Sequence, residues 1–314
     1  MQEAHSNNHP NNFDDEIDLR ELFYVLLKGK WIIVSMTAFV SIIGVIYSLS
    51  LPNIYESKAL LVPVNSSNGI SSALGGYSGL AGLAGISLPS ASDVGNSGKA
   101  TKKINSLSFF ENKILPNIYL PDLMAFKSWN SNTNTVAFDE NIYDTNSNTW
   151  IRDYSYPKKQ MPSAQESFEV FSNKLSLSED KKSGFISLSI KHQSPFVAKQ
   201  WTELVVNEVN SFYRQKDKSE SEKATTYLNK QISMTGFSEI KQVLAQLLQE
   251  ETKKLTLIEA NQYYVFDYID PPAVMEKKLE PNRAFISILS ALLGGILSIL
   301  LVCIRHYFFS EKAS

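Results

Sequence analysis

The chain has 314 residues, of which 43% are hydrophobic and 20% charged, and its net charge is −2. So even a balance gives no bulk attraction to nucleic acid. The single cysteine, Cys303, rules out an intrachain disulfide and any cysteine-based metal site. A chain this long holds one large domain or two small ones.

The first element is a polar, Asn-rich tail over residues 1–30 that contains Asp14, Asp15, Glu16 and Asp18. It is followed by Trp31–Leu51, a block without a charge, and a second such block covers Ala284–Ile304. At ~1.5 Å rise per residue, about 20 apolar residues cross a hydrocarbon core of ~30 Å. Both blocks therefore read as transmembrane helices, at 31–51 and 284–304. The first is too long for a secretory signal core, follows an acidic tail, and ends Leu51-Pro52 with no small-residue cleavage site. Lys28 and Lys30 abut the first span, whereas the nearest basic residue beyond it is Lys58. That asymmetry predicts that the residues before it lie in the cytoplasm. With two spans the tail 305–314 returns to the same side, and residues 52–283 lie outside.

Within 52–283, Tyr55–Val62 reads as a strand closed by Pro63. Residues 65–98 carry eight of the fourteen glycines and read as a loop. Helix is expected over Thr101–Leu115 and Ser163–Leu175, with mainly loop over 127–163. Gly184–Ile190 is the clearest strand, with Ile186, Leu188 and Ile190 on one face and Ser187 and Ser189 on the other. Ser194-Pro195 then supplies an N-cap and a first-turn proline. The stripe Val197, Trp201, Leu204, Val205, Val209 and Phe212 follows.

From Arg214 to Lys223 there is no apolar residue, yet no Gly or Pro interrupts the run. Lys216/Glu220 and Lys218/Glu222 stand at i, i+4. One forty-residue helix, Pro195–Met234, is therefore expected, about 60 Å long. Gly236 marks a turn, and Ile240, Val243, Leu244, Leu247, Leu248, Leu255 and Ile258 make an amphipathic return helix. Tyr263–Ile269 closes as a strand. The expected class is α+β: two transmembrane helices flanking an α/β base (about 52–194 and 263–283), with a projecting helical hairpin at about 195–262.

Chemistry is harder to find. His5 and His9 have helical metal-ligand spacing but lie in the polar tail, and His192 and His306 stand apart. Gly95-Asn-Ser-Gly-Lys-Ala-Thr fails as a phosphate loop, because Asp93 occupies the first glycine position and Ala100 the magnesium-binding hydroxyl position. No G-x-S-x-G or H-E-x-x-H is present. The expectation is no catalytic residue, no cofactor and no metal. Small residues instead mark the spans. Ser287, Ala291 and Gly295 form one ridge, and Ser290, Gly294 and Ser298 a second. Such ridges permit close helix packing, against Thr37, Ser41, Gly44 and Ser48 of the first span or against another subunit.

Several segments together resemble one family. Ile17-Asp-Leu-Arg-Glu-Leu-Phe with Lys30-Trp31 is similar to the start of the polysaccharide co-polymerases, the Wzz-type chain-length determinants. Tyr55…Leu61-Val-Pro63, the Gly-Leu-Ala-Gly-Leu-Ala-Gly run at 79–85, and Tyr264-Val-Phe…Ile269-Asp-Pro-Pro-Ala-Val…Glu280-Pro-Asn-Arg fit the same order. The family's proline-rich motif would fall on Pro271, Pro272 and Pro281. Met275 and Glu276 stand where many members carry a further proline, so this approach to the second span is expected to be less rigid.

The resemblance implies a two-pass protein of the bacterial inner membrane with both termini cytoplasmic and its bulk periplasmic. It would be a homo-oligomeric ring that sets chain length without making bonds, partnered by a polysaccharide polymerase and a lipid-linked glycan. The hairpin charges Arg214, Lys216, Lys218, Glu220, Glu222 and Lys223 would be an exposed regulatory surface. With no cytoplasmic P-loop kinase in the sequence, the lipopolysaccharide O-antigen branch is favoured. A capsule or exopolysaccharide co-polymerase working with a separate tyrosine kinase is the nearer alternative, though only Tyr307 lies in the last tail. A two-span sensor is the other, but it would need an output domain that residues 305–314 cannot hold.

Overall fold

The computed structural model describes residues 19–64, 96–261 and 263–310. His5, His9 and the glycine-rich run lie outside them. The chain divides into a helical unit, Met1–Pro52 with Pro281–Ser314, and a mixed unit, Asn53–Glu280.

The helical unit contains α1 (Leu19–Lys28), α2 (Lys30–Ser50) and α7 (Arg283–Ser310). Both α2 and α7 are long and apolar enough to cross a membrane. Large side chains cover their outer surfaces, with Phe39, Ile42, Ile288 and Leu292 all more than half exposed. A protein in water would bury such a surface; hydrocarbon solvates it.

The mixed unit is built on a four-stranded antiparallel sheet. Its strands are β1 (Tyr55–Pro63), β6 (Leu175–Glu179), β7 (Ile186–His192) and β8 (Phe266–Asp270), in the order β6-β7-β1-β8. One face is apolar, with Ala59 and Leu61 of β1 and Ile186, Leu188 and Ile190 of β7 all essentially sealed from solvent. The other is polar: Ser189 donates to Glu56 at 2.6 Å, and Lys191 pairs with Glu280 at 2.6 Å. Such one-sided alternation is what an antiparallel sheet wetted on one face requires. Ile54 forms a bridge to Glu280, with Ile54 N–H donating to the Glu280 carbonyl at 2.9 Å and Leu279 N–H to the Ile54 carbonyl at 2.8 Å. The two ends of this unit are therefore clasped together.

Helices cover the apolar face. α4 (Ala164–Lys174) and the first half of α5 (Pro195–Met234) lie on it, and α3 (Asn96–Ile104) packs against α5. Ser163 and Glu166 cap α4 reciprocally, each side chain taking the other's backbone N–H. Arg152 clamps that Glu166 with two bonds of 3.0 and 2.9 Å, which holds its carboxyl down at about 2. α5 runs unbroken for forty residues and turns through residues 235–237 into α6 (Ser238–Ala260).

Several local expectations need correction. The helix expected over Thr101–Leu115 breaks at Asn105, where Ser106 caps a fresh start whose turns widen at Phe110–Ile114 and tighten at Leu115–Asn117. This break lets the adjacent rings Phe109 and Phe110 both enter the core. Residues 127–163 are mainly loop, as expected, but they also hold two small hairpins, β2 (Phe126–Asn130) with β3 (Thr135–Phe138), and β4 (Tyr143–Asp144) with β5 (Thr149–Trp150). Asn134 and Asn148 turn them at φ of 51° and 53°, a region that Asn tolerates better than most residues. Edge-to-face contacts among Tyr119, Phe126, Phe138 and Tyr143 then replace a larger core. The strand β6 went unanticipated, although Leu175-Ser-Leu177-Ser alternates.

On α5, Leu204 and Phe212 are only part-buried, while Val206, Asn210 and Tyr213 are buried. The helix lies across both β1 and β7, so its covered face is wider than one stripe. On α6, Ile240, Val243 and Leu247 stay exposed. A two-helix hairpin covers a single seam per helix, and that seam takes Leu244, Leu248, Leu255 and Ile258.

Candidate functional site

Two places gather the residues singled out from the sequence: the seam between α2 and α7, and the foot of the α5–α6 hairpin. The seam is antiparallel and made of small side chains. A Cβ on Gly44 would stand 2.0 Å from the Ser290 hydroxyl oxygen, and one on Gly294 would stand 2.9 Å from Val40 Cβ. Thr37 and Ser298 share a hydroxyl contact at 3.4 Å, and Arg283 Nε donates to the Ser48 carbonyl at 3.4 Å. Most seam hydroxyls also bond back to their own helix, as Ser41 does to the Thr37 carbonyl at 2.7 Å and Ser290 to Ile286 at 2.8 Å. Their polarity is thus satisfied without water, except at Ser48, whose buried hydroxyl has no hydrogen-bond partner.

The two ridges of α7 differ. Ser290, Gly294 and Ser298 face α2, and Gly294 and Ser298 are buried. Ser287 and Ala291 are half-buried, and a Cβ on Gly295 would meet nothing within 4 Å.

At the hairpin foot, Asn210 is the organising residue, and no local pattern marks it. Its side-chain oxygen accepts from Val265 and Phe266 N–H at 2.7 and 2.9 Å, and its amide donates to the Phe266 carbonyl at 2.9 Å. One buried side chain thereby stands in for a strand beside the start of β8. Two turns further on, the Tyr264 hydroxyl donates to Asp217 at 2.6 Å. Burial and that carboxylate push the phenol far above its usual range. Arg214 donates to the Asn261 carbonyl, and Lys218 pairs with Glu259 across the hairpin.

The polar run is therefore not uniformly exposed. Arg214 and Lys218 are half-buried and turned toward α6 and the returning chain, while Lys216, Glu220, Glu222 and Lys223 face outward. Lys216 keeps its i, i+4 partner Glu220 at 3.6 Å. A polar helical segment hid this division, because hydrophobic periodicity is silent where hydrogen bonds and ion pairs make the seam.

The proline positions lie in irregular chain after β8: Pro271 is exposed, Pro272 buried and Pro281 half-buried. His192 is buried and held on both sides. Its Nδ1 accepts from Ser194 N–H at 3.0 Å, so Nε2 carries the proton and donates to the Asp122 carbonyl, also at 3.0 Å. Phe126 and Trp201 enclose the ring. Desolvation lowers this imidazole to about 4 and, separately, raises the Asp122 carboxyl to about 6.

Fold and seam together define a class: a membrane protein with an antiparallel pair of apolar helices and one large mixed domain inserted between them. Residues 15–106 match the family model described as "Chain length determinant protein" (Wzz). That segment, which takes in α1, α2, β1 and α3, is similar to the Wzz type over under a third of the chain. No curated protein matches significantly. Among solved structures, a full-length bacterial polysaccharide co-polymerase is 14% identical with a TM-score of 0.43, and the match covers 95% of this chain and 100% of that one. A fragment of WzzB, a polysaccharide co-polymerase from Salmonella Typhimurium, is 14% identical with a TM-score of 0.30, covering 73% of this chain and 100% of the fragment. The family reading rests on the segment match.

Proposed function

We propose that the chain is an inner-membrane regulator of polysaccharide length that forms no bond itself. It acts as a homo-oligomeric scaffold beside a polymerase that extends lipopolysaccharide O-antigen on its lipid carrier. The Wzz match over residues 15–106 carries this reading. Two apolar helices enclosing one domain support it. In this reading both termini are cytoplasmic and residues 52–283 periplasmic. The outward charges Lys216, Glu220, Glu222 and Lys223 form the regulatory surface: they join no core, so they are free to meet glycan or polymerase.

Deleting the gene tests the reading. The banding of lipopolysaccharide on a gel should lose its preferred length and regain it when the wild-type chain is returned. Returning a chain with all four outward charges changed to Ala should give normal protein levels and a shifted band maximum. An unchanged ladder on deletion would refute the O-antigen assignment; altered capsule size in its place would move the chain to the capsule branch.

A further inference from the structure

Where α1 gives way to α2, the helical unit contains a cleft of about 450 Å³. The break is at Gly29, which leaves helical geometry at φ −86° and ψ 2°. A Cβ there would stand 2.5 Å from Val302 Cγ1, so the junction presses directly on α7. This contact gives the cleft an apolar floor of Val25, Ile32 and Val302, two of which are more than nine-tenths buried. Its rim is cationic: Lys28 from the end of α1 and Arg305 from α7 are both exposed, with His306 beside them. Among the described residues that line it there is no carboxylate.

Basic residues next to a span are expected from membrane topology alone. Topology does not call for an apolar cavity behind them. A free inorganic anion would use the rim and leave the floor empty; a purely apolar molecule would leave the cations unused. The lining suits an amphiphile with an anionic head, and phosphate is the head that Arg and Lys recognise best. Basic pockets between membrane helices hold lipid head groups in this way. α1 places the cleft at the level of lipid head groups: Phe23, Tyr24 and Leu27 are exposed on a helix that ends in Lys28, the make-up of a segment lying in the interface.

We propose that this cleft binds the phosphate head of a lipid, with Lys28 and Arg305 on the phosphate and the first methylenes of the lipid against Val25, Ile32 and Val302. Two sources share that chemistry, a bilayer phospholipid and an isoprenoid diphosphate carrier. The inference requires only that α2 and α7 lie in a bilayer, not the chain-length reading.

The test uses the full-length protein in mild detergent, with bound lipid counted by native mass spectrometry. Phosphatidylglycerol should be kept in preference to phosphatidylcholine. Lys28→Gln with Arg305→Gln should weaken that preference at least ~fivefold, the effect of about one cation at a membrane surface. Lys30→Gln, outside the lining, should leave it intact. Val25→Trp, which fills the floor without altering charge, should also weaken it and guards against a double variant that fails to fold. Adding an isoprenyl diphosphate to protein already holding phosphatidylglycerol separates the sources: displacement identifies the carrier, and retention identifies the phospholipid. Equal retention of the two phospholipids by the wild type would overturn the proposal. So would undiminished preference in both variants, or an equal loss in Lys30→Gln.

Discussion

The sheet core and the α2–α7 seam solve the same problem, holding segments distant in sequence together, with opposite residues. In the mixed unit Trp201, Phe109, Phe110 and Phe266 are the largest side chains sealed from solvent, and they lie against Leu61, Leu188 and Ile190. Each removes a large apolar area from water, worth about 25 cal/mol per Å². Along the α2–α7 seam the sealed positions are Gly44, Ser48, Gly294 and Ser298, joined by Val302 where α1 meets α7, while Phe, Ile and Leu point outward. In lipid an apolar side chain gains nothing by turning inward, so close approach is the main gain left. Size is therefore stabilising in one region and disruptive in the other.

The largest expected effect lies in the first region. Trp201→Ala should cost about 3–5 kcal/mol, lowering the denaturation midpoint of the mixed unit in urea. A loss below about 1 kcal/mol would contradict the packing described.

In the second region enlargement is the test. Gly294→Leu should separate α2 from α7, because the added side chain has only Val40 and Thr37 to enter. Gly295→Leu, one residue along, meets open space and should leave the pair intact. Disulfide formation between cysteines placed at positions 37 and 298, in a Cys303→Ser background, reports the difference. Equal crosslinking in the two variants would refute the assignment of ridges. If Gly295→Leu alone lowers crosslinking between chains, the open ridge of Ser287, Ala291 and Gly295 is the contact with another subunit.

Much of this contrast was legible in the sequence, and the illegible parts have common causes. Charge-free blocks identify the spans, and the Ser194-Pro195 start with no later breaker gives α5 its full length. Ridge spacing identifies the small residues, but it cannot choose between two ridges a quarter-turn apart. Only the position of α2 decides, through Val40 and Gly44. At the hairpin foot the missed residue, Asn210, looks like any polar residue on a helix. Its role depends on residues 265 and 266, more than fifty positions later, and no local pattern records that. The two aromatic hairpins were missed because Asn serves equally as a marker of loops and as the tight-turn residue of a short ladder.

The smallest predicted effect concerns acid. His192, lowered to about 4, takes its proton later in the native chain than in the unfolded one, so stability falls as pH drops from about 6.5 toward 4. Asp122, raised to about 6, has the opposite sign: the native chain binds its proton first, and stability rises as pH drops from 6 toward about 4. The two partly offset between pH 6 and 4. Asp122→Asn should remove the compensation and steepen the acid loss across that window in thermal melts. Parallel pH profiles for the variant and the wild type would show that Asp122 is ionised throughout.

The clasp at Ile54 and Glu280 bears on how the domain assembles. β1 and β8 are neighbours in the sheet but stand about two hundred residues apart along the chain. Closing a free loop of that size costs about 5 kcal/mol in chain entropy. Once the two membrane helices have paired, however, the intervening chain is already a closed loop, even while it is unfolded. The helix seam then acts on the rest of the molecule as a noncovalent crosslink does, by narrowing the unfolded ensemble. Loosening it at Gly44 or Gly294 would therefore slow the meeting of β1 with β8, although both glycines belong to the helical unit.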